Sequence, residues 1–447
     1  MILLGNAVQS LDRLISLTRR DQDEQEFDCT MRILFLTHYF YPEGNAPATR
    51  VYEFCRRWVA LGHDVTVITC APNVPNGVVY EGYRNRLYQQ EVVEGVKVIR
   101  VWTYLAANRG TTKRIINFLS YMLSSVIACL GLQRPDVIVS TSPQFFCGWA
   151  GVISRKLRRV PMVLDVRDLW PAAIVAVGAI TNRHIVHVLE RMELAMYAGA
   201  DHIVTVGKGY REQLLARGVR PERLSIVPNG VDAERLRPRP RSAVFARRLG
   251  LEGKFVCSYV GTIGLASGLE VVLQAGHILH ERQRDDIVFL LVGDGACRAD
   301  LERQARRDGL ENVHFVGQQD KHLIPDFLAA SDVCLAHLRR RESFKTVYPS
   351  KMFEAAAMAR PIVLGVEGHA ARLIRKAGCG LCIEPENAVE LADAVSRLAD
   401  DLSLRQRLGR AGRNYVVEHH ALPDLARTYL AILKAVVAGH ATPICRA

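Results

Sequence analysis

The sequence contains no lysine and arginine run interleaved with stacking aromatics, no helix-turn-helix and no zinc-finger spacing. Its net charge of +12, from 58 Lys and Arg against 46 Asp and Glu, therefore does not point to nucleic acid. A positive surface still favours anionic partners, and the basic pairs Arg56 and Arg57, Lys113 and Arg114, and Arg158 and Arg159 leave nucleotide sugars and an anionic bilayer face in view. A disulfide framework is missing as well. The eleven cysteines are odd in number and scattered between positions 29 and 445, which suits a reducing compartment with most thiols serving as small core groups. Cys379 and Cys382 form C-x-x-C, but the surrounding AGCGLCIEP reads as a Gly-flanked strand and no second ligand pair follows. No cluster with metal-ligand spacing occurs, so no metal is expected. Neither G-x-G-x-x-G nor a lysine-containing phosphate loop is found, which argues against a dinucleotide or nucleoside triphosphate enzyme. Residues 1–30 lack the basic stretch, long apolar core and small-residue cleavage site of a secretory signal, and are expected to form a dispensable extension.

What is present suits two folded domains. A chain of 447 residues is long for one core, and 49% hydrophobic with 23% charged residues describes a globular protein. From Met31 the pattern alternates: RILFLT as a strand, the loop HYFYPEGNAPATR, a helix over residues 53–61 stopped by Gly62, then DVTVITC. VKVIRVW, DVIVSTS, PMVLDV and HIVTVG continue the series. Helices between strands predict a parallel sheet with right-handed crossovers. Residues 237–241, rich in alternating Pro and Arg, read as an extended linker. KFVCSYVGTIG, IVFLLVGDG, VHFVGQ, VCLAHL and PIVLGV then repeat the rhythm. The expected division is an extension over 1–30, a first Rossmann-like α/β domain over 31–236, a second over 237–415, and helices over 416–447 that cross back to the first.

Residues 346–365, TVYPSKMFEAAAMARPIVLG, carry the most chemistry. Pro349 and Ser350 signal a helix start with Ser350 as N-cap, and Glu354 follows at i+4 on the same side, near Lys351. A helix N-terminus favours phosphate oxygens, and a carboxylate accepts two hydrogen bonds from a ribose diol. This segment resembles the donor motif of the retaining family 4 glycosyltransferases of GT-B fold, in which two Glu residues stand eight positions apart; Glu354 takes the second place and Thr346 the first. The form FKTVYPSKMFEAAAMARP, with DVRDLWPAAIVAVGAI at 165–180 and HYFYPEGNAPATR at 38–50, is similar to bacterial enzymes that transfer amino sugars of the fucosamine type in O-antigen and capsule assembly.

The resemblance implies retaining transfer of an N-acetylated amino sugar from a UDP-type donor to a polyprenyl-diphosphate-linked saccharide, without a metal or other cofactor. It implies that the loop holding Gly44 and Asn45 closes on the donor diphosphate, and that Gly261 and Gly264 of GTIGLASGLE form the facing loop. Many relatives place basic residues on that second loop; here Thr262, Ile263 and Ser267 stand instead, which leaves Lys345 and Lys351 as candidate phosphate partners. DVRDLWP is expected nearest the chemistry, with Asp168, with Arg167 where relatives carry His, and with His38 at a neighbouring strand end. Two other classes remain open on the residues: a non-hydrolysing nucleotide-sugar epimerase and a non-catalytic nucleotide-sugar-binding assembly protein. Residues 115–132 are uncharged for eighteen positions, about 27 Å as a helix, just short of a bilayer core. They are expected to pack on the sheet with one side toward the cytoplasmic face of the membrane, making the protein peripheral.

Overall fold

The computed structural model describes residues 30–74, 77–106, 111–142, 144–169 and 182–440. The apolar runs fold as strands buried on both faces, as parallel sheets covered by helices require. The first sheet contains β1 (Arg32–Leu36), β2 (Asp64–Cys70), β3 (Tyr88–Val93), β4 (Val96–Val101), β5 (Val137–Ser142), β6 (Met162–Val166), β7 (His202–Thr205) and β8 (Leu224–Ile226). Their spatial order is β3-β4-β2-β1-β5-β6-β7-β8, parallel except for the β3–β4 hairpin. The second sheet contains β9 (Phe255–Val260), β10 (Ile287–Val292), β11 (Val313–Gly317), β12 (Val333–His337), β13 (Ile362–Gly365) and β14 (Gly380–Cys382), in the order β11-β10-β9-β12-β13-β14. The pairings in this sheet are parallel throughout. In each sheet the order reverses beside the first strand, β1 or β9, and the crevice beyond the carboxyl ends of strands at such a reversal is where α/β sheets bind ligands.

Several local details differ from the sequence reading. The first helix runs Ala46–Ala60 and starts seven residues before position 53, because Asn45 caps it by accepting from the Ala48 N–H at 2.9 Å and Pro47 lies in its first turn. The glycine loop is therefore shorter, and Asn45 is spent on the helix start. Ser350 is not an N-cap: Pro349 holds that position, the helix spans Ser350–Ala357, and no side chain caps it. The edge strand β3 (YQQEVV) and the three-residue β8 are additions, the first polar and the second short. A boundary at 416 falls inside the helix Leu402–His419, which packs on the second domain against the helices Ser350–Ala357 and Ala388–Asp400.

The crossing is made by the last helix, Leu422–His440. It is led in by a bridge between Val231 and Ala421, with the Val231 N–H donating to the His420 carbonyl at 2.9 Å. Tyr429 packs edge-on against Phe54 and Trp58, and Trp58 Nε1 donates to the Ala426 carbonyl at 3.0 Å. These contacts tie the end of the chain to the first helix of the first domain.

Candidate active site

On the second-domain side, β9 ends at Val260 and the chain turns through Gly261, whose φ of +146° favours glycine. A Cβ on Gly293, at the end of β10, would lie 2.0 Å from the Gly261 carbonyl oxygen, so the two strand-end loops meet backbone to backbone. Gly264, by contrast, has room for a side chain: a Cβ there would meet only Thr262, at 3.7 Å. Tyr259 is fixed from below, its hydroxyl 2.8 Å from the Thr262 carbonyl and from Ser267 Oγ. Its ring carries the Lys351 ammonium 3.4 Å above the centroid, a cation–π contact that holds the cation beside Gly261. A Cβ on Gly261 would be 3.1 Å from Lys351 Nζ, so the glycine keeps that approach open.

Glu354 follows Lys351 by three residues and lines the same cavity, with Val260, Cys334 and Ile362. Its carboxylate has no hydrogen-bond or ion-pair partner among the described residues. Burial raises its pKa, while Arg235, Lys321 and Lys351 pull it back down. A partly buried carboxylate with unused acceptor sites, within the positive field of three cations, is arranged to receive donors from a ligand.

Arg235 and Lys321 were not among the residues singled out from sequence. Lys321 follows β11 and reaches across the cleft to Thr49 Oγ1 at 3.0 Å, in the first turn of the helix Ala46–Ala60. Burial, then Arg235, lowers its pKa. A search of strand-end loops would have found Lys321; Arg235, in RLRPRP, is not distinguishable from its neighbours by sequence.

The other named residues are distributed unevenly. Lys345 is ion-paired with Glu342 at 2.5 Å and with Glu367 at 3.6 Å, so of the two lysines the structure sets only Lys351 beside the glycine loop. Thr346 donates to the Ser343 carbonyl, and its methyl packs on Gly209 of the first domain, beside Tyr348 on Gly207. It serves the contact between domains. Gly44 has open space around it, while Asn45 also approaches Glu43, a buried carboxyl that accepts from the Asn73 and Val74 N–H groups.

At the end of β6, Asp165 forms a buried ion pair with Arg50 at 3.2 Å, both side chains at most 4% exposed. Arg50 also donates to the Val227 and Pro228 carbonyls at 2.8 Å. Arg167 lies next to this pair with buried Nε and Nη1 atoms that find no partner in the described protein. Burial, and then repulsion from Arg50, pulls its pKa down to about 10. Asp168 accepts from the Tyr210 hydroxyl at 3.3 Å, and burial raises its pKa. Residues 170–180 of the DVRDLWPAAIVAVGAI motif lie outside the described residues.

His38 is placed differently from an acid or base in an open cleft. It is 3% exposed and walled by Tyr39, Phe118 and Tyr121, and its Nε2 has no partner among the described residues. Burial holds its pKa down to about 4, against an ordinary 6.5. The unfolded chain therefore binds this proton more readily than the folded one between those values. Stability from this group is complete above about pH 6.5 and falls as pH drops toward 4, on the order of 3 kcal/mol at 1.36 kcal/mol per unit. We expect His38→Phe to flatten the acid limb of a Tm–pH profile; an unchanged limb would place the acid sensitivity elsewhere.

Among the described residues no group of three or more His, Cys, Asp or Glu is placed to hold a metal. The second domain thus offers cations at a glycine loop with, among the described residues, an unpaired carboxylate beside them, and the end of β6 in the first domain carries Arg167 and Asp168 next to the buried Arg50–Asp165 pair.

Comparison with known proteins agrees with that geometry. Residues 45–230 match the Glycosyl transferase 4-like domain and residues 243–415 match Glycosyl transferases group 1. The putative colanic acid biosynthesis glycosyl transferase WcaI of Escherichia coli K12 is 27% identical over 378 residues, covering 82% of this chain and 91% of its own. Sucrose-phosphate synthase from Thermosynechococcus elongatus superposes with a TM-score of 0.72 at 19% identity, over 92% of this chain and all of its own. Anabaena HepE in complex with UDP-glucose superposes at 0.69 and 17% identity, over 91% of this chain and all of its own. With two matched domains spanning both sheets, the chain belongs to the family 4 glycosyltransferases and is built on the GT-B fold.

Proposed function

We propose that this glycosyltransferase moves an N-acetylated amino sugar from a UDP-type donor to a polyprenyl-diphosphate-linked saccharide during surface-polysaccharide assembly, with retention, at the inner face of the cytoplasmic membrane. The observation that carries the donor half is Glu354: a carboxylate with no partner among the described residues, one turn from a lysine pinned beside Gly261. The ribose diol would donate to Glu354, and the diphosphate would lie on the Gly261 loop near Lys351, with Lys321 and Arg235 adding positive potential. The likeness to WcaI, named for colanic acid biosynthesis, supports the polysaccharide part of the reading, and the UDP-glucose complex of HepE supports the UDP part.

Retention follows if the acceptor hydroxyl attacks the anomeric carbon on the face the phosphate leaves. The anomeric C–O bond to the β-phosphate breaks, a bond to the acceptor oxygen forms, and the hydroxyl proton passes to the departing phosphate oxygen. The protein then contributes positioning and stabilisation of the leaving diphosphate. Arg167, whose Nε and Nη1 find no partner among the described residues, would supply a further fixed cation from the end of β6.

The test is a panel of nucleotide sugars incubated with and without lipid-linked acceptor, read by nucleoside diphosphate release and by the anomeric configuration of the product. Acceptor-dependent release from a UDP-N-acetylamino sugar, undiminished by a metal chelator, is the expected result. Interconversion of the donor without acceptor would make the protein an epimerase, and binding without turnover would make it an assembly protein.

A further inference from the structure

We propose that the outer face of the helix Thr111–Leu130 seats the protein on an anionic bilayer, lying in the plane of the interface. The helix is inside-out. Its sheet-facing stripe, at i+4 spacing, is Asn117, Tyr121, Ser125 and Cys129, with Asn117 and Ser125 4% and 0% exposed. Those polar groups are satisfied locally: Asn117 donates to the Tyr104 carbonyl, Ser125 to the Met122 carbonyl, and the Tyr121 hydroxyl to the Ile68 carbonyl on β2. The opposite stripe, Ile116, Leu123, Ile127 and Leu130, is apolar and faces outward, with Leu123 60% and Ile127 70% exposed. A helix stabilised only by its sheet would place its aliphatic residues the other way round. The stripe extends about 21 Å and continues beside the exposed Leu157 at the end of the helix Phe145–Arg158, where Arg158 ties the two helix ends by donating to the Leu130 and Leu132 carbonyls.

The surrounding charge selects the occupant. Asp136 is the only carboxylate in the sequence between Gly95 and Leu164, and Arg32 holds it at 3.1 Å. The same span supplies Lys113, Arg114, Arg134, Lys156, Arg158 and Arg159. An apolar stripe on a chain segment whose charges are almost all positive matches a hydrocarbon layer beneath anionic headgroups. The helix has the length and composition to cross a membrane, but its inner stripe is packed on the first sheet, so it rests on the bilayer and does not span it. This inference rests on the membrane half of the proposed function and stands whichever nucleotide sugar the cleft accepts.

The test uses the full chain and sedimentation with vesicles of pure phosphatidylcholine or of phosphatidylcholine mixed with phosphatidylglycerol, across a salt series. Binding is expected only to the phosphatidylglycerol vesicles, weakening as salt rises. The double substitution Leu123→Gln with Ile127→Gln, at exposed positions, should lower partitioning at least tenfold while Tm and gel-filtration volume stay unchanged. Lys113→Glu with Lys156→Glu should lower it while leaving the apolar stripe intact. Equal binding to both vesicle types, or partitioning that the glutamine pair leaves unchanged, overturns the proposal. A glutamine pair that converts a dimer to a monomer without altering partitioning would assign the face to a second copy of this chain. Donor-dependent nucleoside diphosphate release, measured separately, reports on the cleft and is not expected to change with the glutamine pair.

Discussion

Glu354→Ala should reduce kcat/KM for the nucleotide sugar by about two to four orders of magnitude without lowering Tm. Hydrogen bonds to a charged group contribute about 1.5 to 3 kcal/mol each. Two of them from a diol correspond to that rate loss at about 1.4 kcal/mol per tenfold. The stability half of the expectation comes from the same geometry. Among the described residues the carboxylate has no hydrogen-bond partner, and burial disfavours its ionised form, so its removal relieves a cost. Glu354→Gln keeps the volume but loses the charge, and should fall between wild type and Ala in donor affinity. Because the carboxyl titrates above its ordinary range, donor binding should also weaken with falling pH sooner than an exposed glutamate would dictate. Wild-type donor affinity in the Ala variant would move the nucleotide off this helix.

The fold was legible because each long strand is a continuous apolar run with a polar or Gly loop behind it, the pattern of a strand covered on both faces. What escaped had no such signature. β3 sits at a sheet edge with alternating polar residues, β8 is three residues long, and the helix Leu402–His419 reads as one of a pair until packing shows that only its successor crosses. In the site, Glu354 and Lys351 were legible because helical spacing places them together near a strand end. The division of labour between Lys345 and Lys351 was not, since it depends on Glu342 and Glu367 capturing one and the Tyr259 ring holding the other. Arg50 was likewise hidden within the glycine-loop motif: its partner Asp165 lies 115 positions away, and only parallel neighbouring strands bring them together.

That Arg50–Asp165 pair is where a single substitution should cost most stability. Asp165→Asn removes the charge of the carboxylate that stands by two guanidiniums, Arg50 at 3.2 Å and Arg167, whose own cation is already disfavoured by burial and by Arg50. Breaking a buried ion pair from one side costs about 3–5 kcal/mol, because the remaining charge stays desolvated without compensation. For a protein with domains of this size that is a fall in Tm of roughly 10 °C. The like-charge part of the loss should be recoverable. Arg167→Met in the Asp165→Asn background removes one of the two guanidiniums, and is expected to restore about 1–2 kcal/mol, a coupling of the size seen for contacting residues. In the wild-type background the same Arg167→Met should change stability little, since Nε and Nη1 of Arg167 have no partner among the described residues, while turnover falls with the lost cation. Denaturant unfolding of the four proteins in the cycle decides it: a double variant less stable than Asp165→Asn would show that Arg167 supports the wall through packing, and that the two arginines do not compete for Asp165.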